Sequence, residues 1–298
     1  MFLKKLLYFI LISINIYAQK EIPIPYTFPY DIAIDNDCSL SNDSIRECNI
    51  TISQKGKVLY QQTNYDINPI FYGDLNADGY KDIIFQGFSG GAHCCFDLII
   101  VSIKPNISKV YYIPTSNTEF ITIKDINNDN KPEIITWDDQ YSYAFGLCFA
   151  CSIGVKVILK YDGSKLRLDP NLTAKYTKKF TYKFQVSKVV LDKYGDISFI
   201  NQTQASKVLD RILYNVYSGQ TSKALFLIKK YFSFDNTAVR KLFLLELIDM
   251  MSESPFWDDI RLANHWYEEG CCFKENCTPP LELFNKNQII SWLFEHTS

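Results

Sequence analysis

The stretch "GDLNADGYKDIIFQG", residues 73–87, packs oxygen donors into a short loop and then runs straight into an apolar segment. Asp74, Asn76 and Asp78 alternate, Gly79 follows, and Asp82 closes the loop before Ile83, Ile84 and Phe85. Oxygen ligands at positions 1, 3 and 5, a backbone carbonyl at position 7 (here Tyr80) and a carboxylate at position 9 can wrap one Ca²⁺. Gly79 permits the sharp turn such a loop needs. Without a cation the crowded carboxylates would repel one another and raise their own pKa values.

The arrangement recurs 51 residues later in "KDINNDNKPEIITWD", residues 124–138. Asp125, Asn127 and Asp129 supply side chains, Lys131 the carbonyl and Glu133 the closing carboxylate. Asn130 replaces the glycine, and asparagine is among the few residues that tolerate a left-handed backbone. Each loop feeds an apolar strand, so the pair reads as an internal repeat. An EF-hand is excluded: its position 12 would be Glu, but the first loop has Phe85 there, and strands flank the loop.

These two segments resemble the FG-GAP or VCBS repeats, the calcium-binding blade loops of integrin-type β-propellers. The resemblance covers residues 68–140. It implies that the five positions named in each loop are calcium ligands and that the ion holds the blade turns without doing chemistry. A full propeller takes several blades of about 40 to 60 residues. The β-patterned part of this chain is too short for seven, so the expectation is a reduced, propeller-like domain of antiparallel blades. "DLNADGY" also resembles a group of periplasmic inhibitors of lysozyme-like peptidoglycan hydrolases, whose implied mechanism is a loop plugging the hydrolase cleft.

Strand signals surround the loops. "ECNITIS", "KVLYQQT", "YKDIIFQG", "FDLIIVSI", "KVYYIP", "EFITIKD", "PEIITWD" and "GVKVILKYD" are short β-branched and aromatic runs between turn residues. Several are nearly continuous, which predicts strands covered on both faces. Helical periodicity is not visible before residue 203. After it, Val208, Leu209, Ile212, Leu213, Val216 and Tyr217 form a helical stripe. "SKALFLIKKYF", "TAVRKLFLLELIDMM" and "PFWDDIRLANHWYEE" continue it, with Asp235 or Asn236 placed to cap the second of these three. The expected organisation is a β domain over residues 19–202 and a helical module of four or five helices over 203–298.

Residues 1–18 read as a secretory signal peptide: Lys4 and Lys5, an apolar run, then a small-residue cleavage point after Ala18. Removing 18 of 298 residues leaves 280 and moves the formal net charge from −2 to about −4. That balance gives no reason to expect a nucleic-acid partner, and no later stretch is apolar for long enough to span a membrane. The chain is thus expected in the periplasm or outside the cell.

Nine cysteines in an exported chain predict disulfides. Cys38 and Cys48 would close an N-terminal hairpin. Cys94 or Cys95 would bridge to Cys148 or Cys151, tying the two repeats together. Cys271, Cys272 and Cys277 complete the set, and the odd count leaves one thiol free or paired with another chain. A rival reading assembles zinc from His93 and the cysteines of "HCC" and "CFAC".

"GFSGG", residues 87–91, matches the G-x-S-x-G nucleophile elbow, but an elbow needs a helix after its serine and here a strand-like run follows. A hydrolase using Ser89 is therefore disfavoured. The same loop is the expected recognition surface, with Ser89, Gly90, Gly91 and His93 as its contact residues: glycines allow close approach, and His93 titrates near neutrality. The expected function is non-enzymatic binding of a protein or a cell-envelope component by a calcium-stabilised β domain, the alternative being inhibition of a peptidoglycan hydrolase.

Overall fold

Among the described residues, strand patterning and a few long apolar runs build four separate sheets, mainly antiparallel, with six α-helices following or flanking them. The computed structural model describes residues 24–25, 27–40, 46–90, 95–105, 109–116, 121–148, 151–176, 183–266 and 284–297. The expected signal segment, residues 1–18, lies outside these.

The first sheet is a meander of β1 (Ile32–Leu40), β2 (Arg46–Gln54) and β3 (Lys57–Asn64). The second is the meander β4 (Asp66–Gly73), β5 (Lys81–Phe88), β6 (Phe96–Ile103) and β7 (Lys109–Ser116). The third contains β8 (Thr122–Lys124), β9 (Glu133–Tyr141), β10 (Ile153–Tyr161) and β11 (Leu166–Leu168), again in meander order. All eight expected strands are present, although "EFITIKD" contributes only the three residues of β8.

The near-continuous apolar runs have the predicted cause. On the second sheet Ile83, Phe85, Ile99 and Val101 face the first sheet, where they meet Ile32, Ile50 and Ile52. The alternate residues Ile84, Leu98 and Ile100 join a larger core with the third sheet and the helices. All seven of these second-sheet side chains are at most 2% exposed. Each contributes on the order of 1.5–3 kcal/mol relative to an exposed position. The three meanders thus stack face to face with the second in the middle.

Two local predictions need correction. Helix α1 (Pro170–Tyr176) interrupts the β region. Its seven residues are too few to show an apolar stripe, but its start is encoded: Asp169 Oδ1 accepts the Leu172 N–H at 2.8 Å, and Pro170 occupies the first turn. Beyond residue 203, a strand β14 (Phe232–Phe234) sits among helices. It pairs parallel to β12 (Ser187–Leu191), which also pairs with β13 (Ile197–Phe199).

The four quoted helical segments form α2 (Gln202–Tyr217), α3 (Thr221–Tyr231), α4 (Thr237–Ser252) and α5 (Trp257–Ala263), and a further helix, α6 (Lys286–His296), lies beyond them. Asn236, rather than Asp235, caps α4 by accepting the Val239 N–H at 3.0 Å. These helices share one hydrophobic cluster with the third sheet, from Val155, Val157 and Leu159 on β10 to Leu209, Leu213, Phe243 and Leu293. Buried carboxylates tie them down further. Asp138 on β9 accepts from Tyr217 at 2.6 Å and Ser254 at 2.5 Å, and Asp259 accepts the Leu168 N–H at 2.9 Å. Among the described residues no helix is long and apolar enough to cross a membrane.

Candidate metal centre

The first acidic loop joins β4 to β5, and its own carboxylates organise it. Asp74 Oδ1 accepts the Asp78 N–H at 3.2 Å and Oδ2 the Gly79 N–H at 2.9 Å. Asp78 Oδ1 accepts the Tyr80 N–H at 3.0 Å, and Asn76 donates to Asp78 Oδ2 at 3.2 Å. Asp82, only 2% exposed, closes the loop by accepting the Leu75 N–H at 2.9 Å. The backbone is left-handed at Ala77 (φ 58°) and Gly79 (φ 86°).

The second loop, between β8 and β9, repeats this bond by bond. Asp125 Oδ1 accepts the Asp129 N–H at 3.2 Å and Oδ2 the Asn130 N–H at 2.9 Å. Asp129 Oδ1 accepts the Lys131 N–H at 2.9 Å, Asn127 donates to Asp129 Oδ2 at 2.9 Å, and buried Glu133 accepts the Ile126 N–H at 2.9 Å. Left-handed residues again fall at the fourth and sixth positions, Asn128 (φ 62°) and Asn130 (φ 64°). Asn130 thus adopts the conformation that Gly79 has in the first loop.

The donor set in both loops is carboxylate and amide oxygen, the chemistry of a hard cation. Each ionised carboxylate has about four acceptor sites, and the loop N–H bonds use only some of them. Charge is unevenly compensated. Burial pushes the Asp82 carboxyl above its ordinary range, and the nearby Asp78 and Asp74 charges add to this, against hydrogen bonds from Ser102 and the Leu75 N–H. At Asp78, burial also acts upward but is outweighed by hydrogen bonds from Lys104, the Tyr80 N–H and Asn76, so its pKa is lowered. Asp129 is lowered in the same manner, by Asn127, the Lys131 N–H and Lys160.

Several partners of the loops escaped sequence reasoning. Ser102 on β6 donates to Asp82 Oδ1 at 2.6 Å and lies 2.8 Å from the Tyr161 hydroxyl of β10. Lys104 Nζ meets Asp78 Oδ2 at 2.7 Å. Lys160 Nζ meets Asp129, Glu133 and Asp169 at 3.4, 3.6 and 3.3 Å. Tyr176, at the end of α1, donates to the Ile126 carbonyl at 2.7 Å. Alternation along β6 and β10 could have shown which residues share a face with the loops, but not which loop each would reach.

The expected recognition loop is described only in part, since Gly91, His93 and Cys94 lie outside the described residues. Ser89 closes a hairpin between β5 and β6: its N–H donates to the Cys95 carbonyl at 3.0 Å and its Oγ accepts the Cys95 N–H at 3.3 Å. Among the described residues Ser89 is joined by these bonds to the start of β6 and not to a helix of the kind a nucleophile elbow requires. Gly90 has φ 82°, and a Cβ on Gly87 would collide with the Asp97 carboxylate and the Asn64 amide.

The cysteines divide into a confirmed and a corrected expectation. Cys38 and Cys48 face each other across β1 and β2 and are bonded. Cys148 bonds to Cys151, not to Cys94 or Cys95: their Cα atoms lie 5.0 Å apart, and the Cys151 N–H donates to the Cys148 carbonyl at 2.9 Å. Cys95 is also disulfide-bonded. The expected bridge between repeats through 148 or 151 is thereby excluded, and with it a zinc site using those thiolates. Cys38, Cys48 and Asp66 place candidate ligand atoms within 4.8 Å of one another, but both sulfurs are consumed in the disulfide. Cys271, Cys272 and Cys277 lie outside the described residues.

A cavity of about 170 Å³ opens between the second and third sheets, lined by Leu98, Thr115, Thr136, Trp137, Gln140 and Phe256 among others. The hydroxyls of Thr115 and Thr136 are buried there without a hydrogen-bond partner. Comparison with protein families, curated proteins and solved structures finds no match for this chain.

Proposed function

We propose that this chain is a calcium-stabilised, non-enzymatic β-repeat protein of exported type that binds a protein or a cell-envelope component. The observation that carries the calcium reading is the equivalence of the two loops. Two stretches of different sequence adopt the same backbone, with left-handed residues at the same two positions and carboxylates engaging the same N–H groups. The resemblance to FG-GAP or VCBS repeats supports the same reading. The face-to-face stacking of successive meanders is compatible with a reduced, propeller-like arrangement. The ligands are Asp74, Asn76, Asp78, Asp82 and the Tyr80 carbonyl in the first loop; Asp125, Asn127, Asp129, Glu133 and the Lys131 carbonyl hold the equivalent places in the second, whose occupancy is taken up below. Calcium here would neutralise the buried Asp82 and stiffen the turn; export and disulfide bonding suit a cell-envelope setting.

Thermal melts with excess Ca²⁺ and with EGTA test this. A single site at ~100 times its dissociation constant stabilises by about 2.7 kcal/mol. Asp74→Ala is expected to abolish most of the calcium-dependent gain at the first loop. Superimposable curves for the wild-type protein would overturn the calcium reading.

A further inference from the structure

The two loops differ in what stands across the ladder from their closing carboxylates, and the difference concerns the cation. On the second sheet Asp82 pairs with Ser102. On the third sheet the ladder reaches Ile134 opposite Leu159, and the next residue of each strand, Glu133 and Lys160, meet through their side chains at 3.6 Å. Ser102 and Lys160 therefore hold equivalent places beside the closing carboxylate of their loops. Ser102 offers a neutral hydroxyl at 2.6 Å. Lys160 offers an ammonium that contacts three carboxylates: Asp129 at 3.4 Å, Glu133 at 3.6 Å and Asp169 at 3.3 Å. The Glu133 side chain has no solvent exposure, so a charge beside it is poorly screened by water.

We propose that Lys160 is the resident cation of the second loop, which keeps its shape without calcium, while the first loop depends on the ion. This rests on the calcium reading above for the first loop alone. An ammonium donates to carboxylate oxygens that a calcium ion would otherwise coordinate, and its charge repels a divalent ion arriving beside it. Asp169 makes the arrangement more than a chance contact. It caps α1 through the Leu172 N–H and at the same time holds Lys160, so loop, strand and helix meet on one positive charge. The first loop has a lysine too, but Lys104 stands beyond the end of β6, and its amine meets Asp78 at 2.7 Å. There Asp82 is faced across the ladder by Ser102 and not by an ammonium.

Calcium titration by calorimetry on the full chain, with melts in EGTA, separates the possibilities. The wild-type protein is expected to bind one ion, Asp74→Ala none, and Asp125→Ala still one. Lys160→Ser, which copies the first loop, is expected to gain a second ion. In EGTA it should melt several degrees below wild type, and excess Ca²⁺ should restore it. Lys160→Met, which keeps the aliphatic stem, replaces the serine variant should that fail to fold. Two ions in the wild type with one lost in Asp125→Ala would overturn the assignment. So would a Lys160 variant that melts like wild type in EGTA and gains no ion. If the wild type binds no ion at all, the calcium reading fails by itself. The EGTA melts then decide the lysine's role separately, a lowered melt supporting the internal cation and an unchanged one overturning it.

Discussion

Tyr161 of β10 places its hydroxyl 2.8 Å from Ser102 of β6, whose own proton goes to Asp82 at 2.6 Å. A serine hydroxyl has one proton, so with Asp82 taking it Ser102 accepts from Tyr161. The closing carboxylate of the first loop is thus oriented by a residue from the third sheet. Tyr161 packs edge-on against Tyr111, which itself donates to the Gly163 carbonyl at 3.3 Å.

Breaking that chain at its far end should be felt at the loop. Tyr161→Phe removes one buried hydrogen bond and is expected to cost about 1 kcal/mol. Ser102→Ala leaves Asp82 Oδ1 without its donor and should cost more, about 1.5–3 kcal/mol. A double-mutant cycle read by denaturant melts is expected to show coupling, since the two residues share one network. Strict additivity would mean that the two hydroxyls act independently.

The orphan hydroxyl of Thr136 makes an unusual expectation for a core residue. Thr136→Val keeps the shape and removes a buried polar atom with no partner, so stability should hold or rise by up to about 1–2 kcal/mol. A clear loss on chemical denaturation would reveal that the hydroxyl is satisfied, for instance by a molecule in the adjoining cavity.

Asp210 on α2 carries a pH signature. Burial pushes its pKa up to about 6 from 3.8, with Arg211 acting in the opposite direction. A carboxyl with a raised folded pKa favours the folded state below the unfolded value. That contribution is lost as pH rises from about 4 through about 6. Asp210→Asn should therefore stabilise at pH 7.5, by up to about 3 kcal/mol at 1.36 kcal/mol per unit, and do little at pH 3. Equal shifts in melting temperature at both pH values would contradict this.

The disulfides should rank by the loop each one closes. On chain-entropy grounds, losing Cys38–Cys48, at a separation of 10, should cost about 3 kcal/mol, and losing Cys148–Cys151, at a separation of 3, about 2 kcal/mol. Paired Cys→Ser variants in denaturant melts check the order. Non-reducing peptide mapping should recover Cys148 and Cys151 in one linked peptide.

The strands and the two loops were legible because their signals are local. Period-two alternation, runs of isoleucine and the spacing of Asp74, Asn76, Asp78 and Asp82 all act within a few residues. The long α2 and α4 declared themselves for the same reason. What escaped was set by distant neighbours. Lys160 looks like any solvent-facing lysine on an alternating strand until Glu133, Asp129 and Asp169 surround it. Cys148 and Cys151 show the opposite error: compartment and symmetry favour a bridge to Cys94 or Cys95, while a separation of 3 residues leaves the two cysteines near enough to bond to each other. Asp138 gave no warning, since only the folded chain brings Tyr217 and Ser254 to it.

The middle position of the second sheet constrains how the chain is made. Its four strands are complete by residue 116, and the first sheet, already synthesised, can cover one face at once. The other face, with Ile84, Leu98 and Ile100, belongs to a core that also draws on β10, on the helices and on Ile289 and Leu293 near the chain's end. At about 5–20 residues per second, a growing chain carries that bare apolar face for many seconds. During that interval it is a surface for a holding chaperone, or, unguarded, for the same face of another nascent copy.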